Sequence, residues 1–306
     1  MGIRGRFAPT PSGRMHLGNL VAALLAWLDA RSQNGVMLLR IEDLDAERCP
    51  ARRAAQLMDD LEWMGLDWDE GGLIPEYRQS CRGEIYAGAF QKLSDMGLIY
   101  PCYCSRAERL AANAPHREDG SVVYSGKCAR LTEGERAALE AAGRRPAWRV
   151  RVPDEEVTVS DGHMGPYTQN LRRDCGDFIL RRSDGVWAYQ LAVVVDDALM
   201  GVSRVVRGSD LLPSAPRQAW LHRTLGYEPP EFCHLPLLTD PTGRRLAKRD
   251  GDLDMGALRE RYSPRELVGY LAFLTGLQPE PAPVSPEELI GIFSWEKIPQ
   301  KDIVVK

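Results

Sequence analysis

The chain has 306 residues, 44% of them hydrophobic and 27% charged, and a formal net charge of −4. That length suits one large domain or two to three smaller units, with the composition of an ordinary globular protein. Its longest apolar runs, such as Leu191 to Val195, are far too short to span a bilayer, so no membrane association is expected.

The N-terminal stretch MGIRGRFAPTPSG lacks the apolar core and cleavage site of a secretory signal, and a cytoplasmic protein is expected. Whole-chain basicity, the usual electrostatic footprint of a nucleic-acid binder, is missing. Arginines are nevertheless grouped, at Arg52/Arg53, Arg144/Arg145, Arg172/Arg173, Arg181/Arg182 and Arg244/Arg245. The seven cysteines argue against a disulfide framework in such a chain. Cys49, Cys81, Cys175 and Cys233 are scattered; Cys102, Cys104 and Cys128 are clustered.

In chain order, Arg4 to Ala8 predicts a short strand that runs into the turn-forming PTPSG. A long apolar helix should follow from Leu17 to Gln33, ended by Asn34-Gly35, which suit a left-handed cap. Val36 to Ile41 reads as a buried parallel strand, which completes a βαβ unit and predicts an open α/β sheet. Helices and loops alternate from about residue 52 to 98. From Tyr100 to Arg173 the texture turns to Cys, Gly, Pro and charged loops, with a helix near Thr132 to Ala142 and a strand at Trp148 to Val152. This stretch reads as an insertion between the halves of the sheet domain. Strands are expected again at Phe178 to Arg181 and Trp187 to Val195, then short helices with Pro-rich joints after residue 250.

Two motifs carry chemistry near the N-terminus. Pro11 to Asn19 (PSGRMHLGN) lies at the strand-to-helix turn of the βαβ unit. There Gly18 lets backbone approach a ligand, and the helix start favours phosphate. His16 and Asn19 can donate hydrogen bonds to phosphoryl oxygens. Arg40 to Asp45 (RIEDLD) closes the next strand, at the edge where open α/β sheets bind ligands. Glu42 there can hold a substrate ammonium, and a substrate carboxylate wants a guanidinium fork such as Arg6 or Arg207.

The first motif resembles the HIGH motif of class I aminoacyl-tRNA synthetases, and RFAPTPSG-x-x-H is similar to the glutamyl branch of that family. The resemblance maps an L-glutamate pocket onto Arg6, Phe7, Ala8, Pro9, Thr10, Glu42, Tyr189 and Arg207, the last two within YQLAVVVDD and RVVRGSDLL. It implies ATP binding by His16, Gly18, Asn19 and Lys248, with Mg²⁺ accompanying the ATP. His16, Asn19 and Lys248 would be the catalytic groups. Lys248 lies in GRRLAKR, which is similar to the KMSKS loop, with Arg245 where a lysine is usual and Ala247 where a serine is usual. The two departures put the rate of adenylation in question more than its existence.

Three closely spaced thiols in a Gly- and Pro-rich segment suit a structural zinc site. Four ligands are needed, and His116 is the chemically conventional fourth. The resemblance points instead to Tyr124, as C-x-C followed by Y-x-x-x-C over Cys102, Cys104, Tyr124 and Cys128.

The implied fold is α/β: a Rossmann-like class I catalytic domain, its halves at 1–98 and 176–250, with a zinc-containing, acceptor-binding-like insertion at 99–175. A small α-helical subdomain would occupy 251–306. Only about 55 residues follow Arg249, too few for an anticodon-binding module. This architecture resembles a short branch of the family that transfers glutamate to the queuosine of tRNA(Asp). Queuosine-modified tRNA(Asp), ATP and L-glutamate are then the expected partners, and a monomer is expected because no obligate interface is visible. Three alternatives stay open: a truncated synthetase charging a tRNA 3′ end, a different nucleotidylyltransferase, since H-x-G-[HN] turns occur on that related fold too, and an inactive tRNA-binding paralogue.

Overall fold

A computed structural model describes residues 2–105, 108, 123–246 and 254–305. Strand β1 (Arg4–Phe7), helix α1 (Leu17–Arg31) and strand β2 (Val36–Leu39) form the expected βαβ unit, with Arg4 opposite Val36 in a parallel ladder. Helix α1 is apolar on nearly every side and is accordingly buried on nearly every side, as at Leu17, Leu20, Leu24, Leu25 and Leu28. It stops two residues earlier than its apolar pattern suggests, capped at Ser32, with Asn34 in the left-handed region (φ 50°). Gly35 serves close approach: a Cβ there would meet the Ile3 carbonyl oxygen at 2.5 Å.

Helix α2 (Ala51–Trp63) leads to β3 (Glu70–Gly71), which adds to β2 in parallel. After α3 (Gly83–Asp95), β4 (Ile99–Cys102) begins a different sheet. Helix α4 (Glu133–Ala141) starts at Thr132, whose side chain accepts from the Glu135 amide while Glu135 reaches back. It precedes β5 (Ala147–Val150), the hairpin β6 (Glu156–Asp161) and β7 (Gly165–Asn170), and β8 (Phe178–Arg181). Strands β4, β5 and β8 pair antiparallel in that order.

The next element departs from expectation. Trp187 to Val195 reads as a strand from its β-branched run, yet the structure has helix α5 (Tyr189–Leu199). Leu191 to Asp197 are all buried, so the segment lacks the alternation of a half-buried strand. Short apolar runs buried all round give no period by which strand and helix can be told apart, and here packing overrides the local preference of Val193 to Val195.

Strand β9 (Arg204–Gly208), helix α6 (Ala215–Leu225) and strand β10 (Glu231–Leu235) complete a second parallel pair, which lies beside β1. The Ser203 amide donates to the Arg4 carbonyl (3.0 Å), and Arg6 donates to the Val206 carbonyl (3.1 Å). Strand β11 (Leu238–Thr239) follows, and then helices α7 (Met255–Arg261), α8 (Pro264–Leu274) and α9 (Pro286–Ile290). Their Met255, Leu258, Leu267, Leu271 and Leu289 pack into the same core as α1 and α2. The chain returns as β12 (Ile303–Val304), parallel to β11. No described helix is long and apolar enough to cross a membrane.

An ionic network ties the two halves of the parallel layer together. Arg40, just past β2, has no exposed surface; it donates to Asp197 on α5 (2.6 Å) and to Glu42 (3.1 Å). The neighbouring Asp196 accepts from Arg82 (2.7 Å), Gln79 (2.8 Å) and Tyr86 (2.8 Å). Burial alone would raise the Asp197 carboxyl, but Arg40 and Arg6 outweigh it and hold it below its ordinary range. Breaking such a pair from one side strands a buried charge, which costs far more than the pair itself contributes. Arg40→Met should therefore lower stability by about 3–5 kcal/mol, read from the urea midpoint; an unchanged midpoint would show that the network does not hold the halves together.

Candidate active site

The turn between β1 and α1 is fixed by its own side chains. His16 is the N-cap of α1: its Nδ1 accepts from the Gly18 amide (3.1 Å), and Asn19 Oδ1 accepts from the His16 amide (3.2 Å). With Nδ1 accepting, the proton of the neutral ring sits on Nε2. Asn19 spends its oxygen on the cap and keeps its NH₂ as donor. The turn thus presents donors at a helix start, the arrangement that suits phosphate.

Opposite lies a charged wall. The Glu42 amide donates to the Pro9 carbonyl (3.0 Å), which joins the RIED segment to the strand-end turn. Burial raises the Glu42 carboxyl, against the pull of Arg40 and Arg6. Arg6 faces Asp197 at 3.6 Å. Arg207, at the end of β9, is buried and differently supplied. It donates to His234 Nε2 (3.0 Å), Gln218 Oε1 (2.8 Å), the Tyr189 hydroxyl (3.5 Å) and the Leu211 carbonyl (3.4 Å). All four are neutral acceptors, so among the described residues no carboxylate pairs with this guanidinium. Burial also raises the Tyr189 hydroxyl, which keeps it protonated as a donor.

Between turn and wall is a cavity of about 420 Å³. Its lining brings together Arg6, Phe7, Ala8, Pro9, Thr10, His16, Gly18, Asn19, Glu42, Tyr189 and Arg207. Lys248 lies outside the described residues. The chain on either side of it borders the cavity: Arg245 and Leu246 line it, and Asp254 pairs with His16 in a backbone bridge. Arg245 forms an ion pair with Asp210, another lining residue. The motifs single out neither Asp210 nor Gln218 and His234. Asp210 lies within RVVRGSDLL without being singled out there, while Gln218 and His234 come from separate segments and carry no local spacing signal.

The cysteine cluster stands apart from this cavity. Cys102 ends β4, Cys104 follows in a loop and Cys128 lies in a 3-10 turn over Lys127–Arg130; their sulfurs lie within 4.8 Å of one another. Tyr124 reaches the same point, its hydroxyl 3.4 Å from Cys102 Sγ and 3.8 Å from Cys104 Sγ, and accepts from the Cys128 amide (3.0 Å). Arg149 stacks on the Tyr124 ring at 3.8 Å. Three thiols and one phenol oxygen converging on one point form a donor set that a zinc ion accepts. His116 lies outside the described residues.

Residues 2–301 match the family profile of the class I tRNA synthetases for E and Q, catalytic domain. The chain is 51% identical to a glutamyl-Q tRNA(Asp) synthetase of Symbiobacterium thermophilum, covering 98% of this chain and 94% of that protein. It is 48% identical to the protein of the same name from Nitratidesulfovibrio vulgaris, covering 99% and 95%. Among solved structures, a glutamate-tRNA synthetase from Elizabethkingia anophelis superposes with a TM-score of 0.84 at 29% identity. That match covers 100% of this chain and 68% of that enzyme. The chain belongs to the glutamyl- and glutaminyl-type class I tRNA synthetases, and within them to the glutamyl-Q tRNA(Asp) synthetases.

Proposed function

We propose that this chain activates L-glutamate with ATP, without help from tRNA, and transfers it to the cyclopentenediol of queuosine at the wobble position of tRNA(Asp). The observation that carries this reading is the single cavity in which the histidine turn faces Glu42, Tyr189 and Arg207. One side suits phosphates and the other an amino acid whose side chain is a carboxylate.

In the first step an oxygen of the glutamate α-carboxylate attacks the α-phosphorus of ATP. The new O–P bond forms as the bond to the leaving pyrophosphate breaks. The protein supplies positioning and charge stabilisation and no covalent nucleophile. Glu42 takes the ammonium, with Tyr189 beside it. Arg207, whose charge is not spent on a neighbouring acid, takes the side-chain carboxylate in a fork that glutamine could not match. Arg6 adds positive charge at the same wall. His16 and Asn19 donate to phosphate oxygens, and Lys248 balances the charge that builds on the leaving pyrophosphate. Mg²⁺ entering with ATP supplies further neutralisation of the phosphates. In the second step a queuosine hydroxyl attacks the activated carbonyl carbon, the glutamyl ester forms, and AMP leaves.

We also assign the Cys102, Cys104, Tyr124 and Cys128 cluster to one structural zinc. Bound there, the ion would be held by Cys102, Cys104, Tyr124 and Cys128 and would tie β4 to the segment after residue 123, whose own apolar cluster is small. The expected division of the chain, with an insertion at 99–175 and a C-terminal helical unit at 251–306, belongs to the same reading.

Three measurements test it. Labelled glutamate should pass to queuosine-containing tRNA(Asp) and not to the queuosine-free form; label found at the 3′ end would make this a charging enzyme, and no label would make it an inactive paralogue. Lys248→Ala should slow glutamate-dependent pyrophosphate exchange by about a hundredfold or more while the glutamate KM changes little; normal turnover would remove Lys248 from the mechanism. Tyr124→Phe should lose zinc to a chelator faster than the unsubstituted chain. Equal retention would exclude the phenol oxygen as a ligand.

A further inference from the structure

Arg207 must keep its full charge and still point one way, and the structure shows how both are met. Its Nε–H donates to His234 Nε2 at 3.0 Å. The other imidazole nitrogen, Nδ1, lies 2.6 Å from Asp161 Oδ2, and both His234 and Asp161 are buried. Since Nε2 accepts, the ring proton sits on Nδ1, which donates a hydrogen bond to Asp161 Oδ2. Burial also keeps the His234 imidazole below its ordinary value, with Arg207 acting in the same sense against the pull of Asp161.

We infer that Asp161 and His234 form a positioning dyad that aims Arg207 at the substrate's side-chain carboxylate without quenching its charge. An aspartate placed directly on Arg207 would hold it as firmly but would neutralise the group that selects glutamate. Interposing a neutral imidazole transmits direction and leaves the charge for the ligand. This inference rests on the reading of Arg207 given under the proposed function.

The dyad is assembled from two distant segments. Asp161 ends β6, in the stretch read from sequence as an insertion, and His234 lies in β10. Asp161 Oδ1 is fully engaged: it accepts from the amides of His163 (3.0 Å), Met164 (2.8 Å) and His234 (3.1 Å). Gly162 lets the hairpin sit this close, because a Cβ there would come within 2.5 Å of Cys233 Sγ. Its amide donates to the Phe232 carbonyl at 2.7 Å.

That engagement makes one substitution unusually informative. In Asp161→Asn the three amides keep the side-chain oxygen where Oδ1 is, so the NH₂ must face His234 Nδ1. The imidazole proton is then driven to Nε2, where it opposes the Arg207 Nε–H, donor against donor. Asp161→Asn should raise the glutamate KM in pyrophosphate exchange about tenfold or more, with smaller changes in kcat and in the ATP KM. Discrimination against glutamine should fall. Nitrogen-15 spectra of the imidazole should show the proton moved from Nδ1 to Nε2. His234→Leu should behave like Asp161→Asn; His234→Gln, which keeps an acceptor for Arg207, should recover most of the glutamate KM that His234→Leu loses. The Gln and Leu pair decides the matter even if Asp161→Asn does not fold. Arg207→Ala separates the two claims. If it raises the glutamate KM while Asp161→Asn and His234→Leu leave it unchanged, the dyad is overturned and the pocket stands. If Arg207→Ala itself leaves the glutamate KM unchanged, the pocket reading falls.

Discussion

A guanidinium with no contact with water sets the terms for the whole catalytic layer. Arg40 sits between Asp197 and Glu42, and removing it would leave both carboxylates in a low-dielectric interior with only the more distant Arg6 to offset them. Because Asp197 belongs to α5 and Arg40 follows β2, the ion pair joins segments 157 residues apart. It also decides where Glu42 points, and so, on the proposed reading, where the substrate ammonium would be received. The same bond thus holds two distant segments together and sets the direction of a carboxylate that lines the cavity.

Around that pair the arginines are treated differently according to their surroundings. Arg40 and Arg82 are matched with buried acids, and Arg6 is partly matched through Asp197 at 3.6 Å. Arg207 is held only by neutral acceptors among the described residues. A buried cation so arranged is costly in the empty protein and favourable to an incoming carboxylate, which is the sign expected of a binding group rather than a structural one. On the phosphate side the logic is local: His16 and Asn19 cap their own helix, so the turn is rigid before any ligand arrives.

The segment between the two halves of the parallel layer is more than an appendage. Its cysteine cluster lies away from the cavity, but its hairpin returns under β10 and places Asp161 against His234. The C-terminal helices are likewise continuous with the main core, since Met255, Leu258 and Leu267 share it with α1. Substitutions in either region can reach the pocket through packing and without touching a ligand.

What the sequence alone determined was whatever is written in neighbouring residues. The βαβ unit, the strand-to-helix turn that carries His16 and the approach of Cys102 to Cys104 are local, and periodicity, turn chemistry and spacing suffice for them, whereas the capping role of His16 is seen only in the structure. Trp187 to Val195 reads as a strand and Tyr189 to Leu199 is a helix, because a run buried on all sides has no face and only its neighbours make it helical. Tertiary structure alone decided that Arg40 meets Asp197 and that Arg207 meets Gln218 and His234. It likewise decided that Asp161 lies behind that histidine. These partners are far apart in the chain and share no spacing rule; what pairs them is the cost of leaving a buried polar group unsatisfied, which is settled only once the chain is folded.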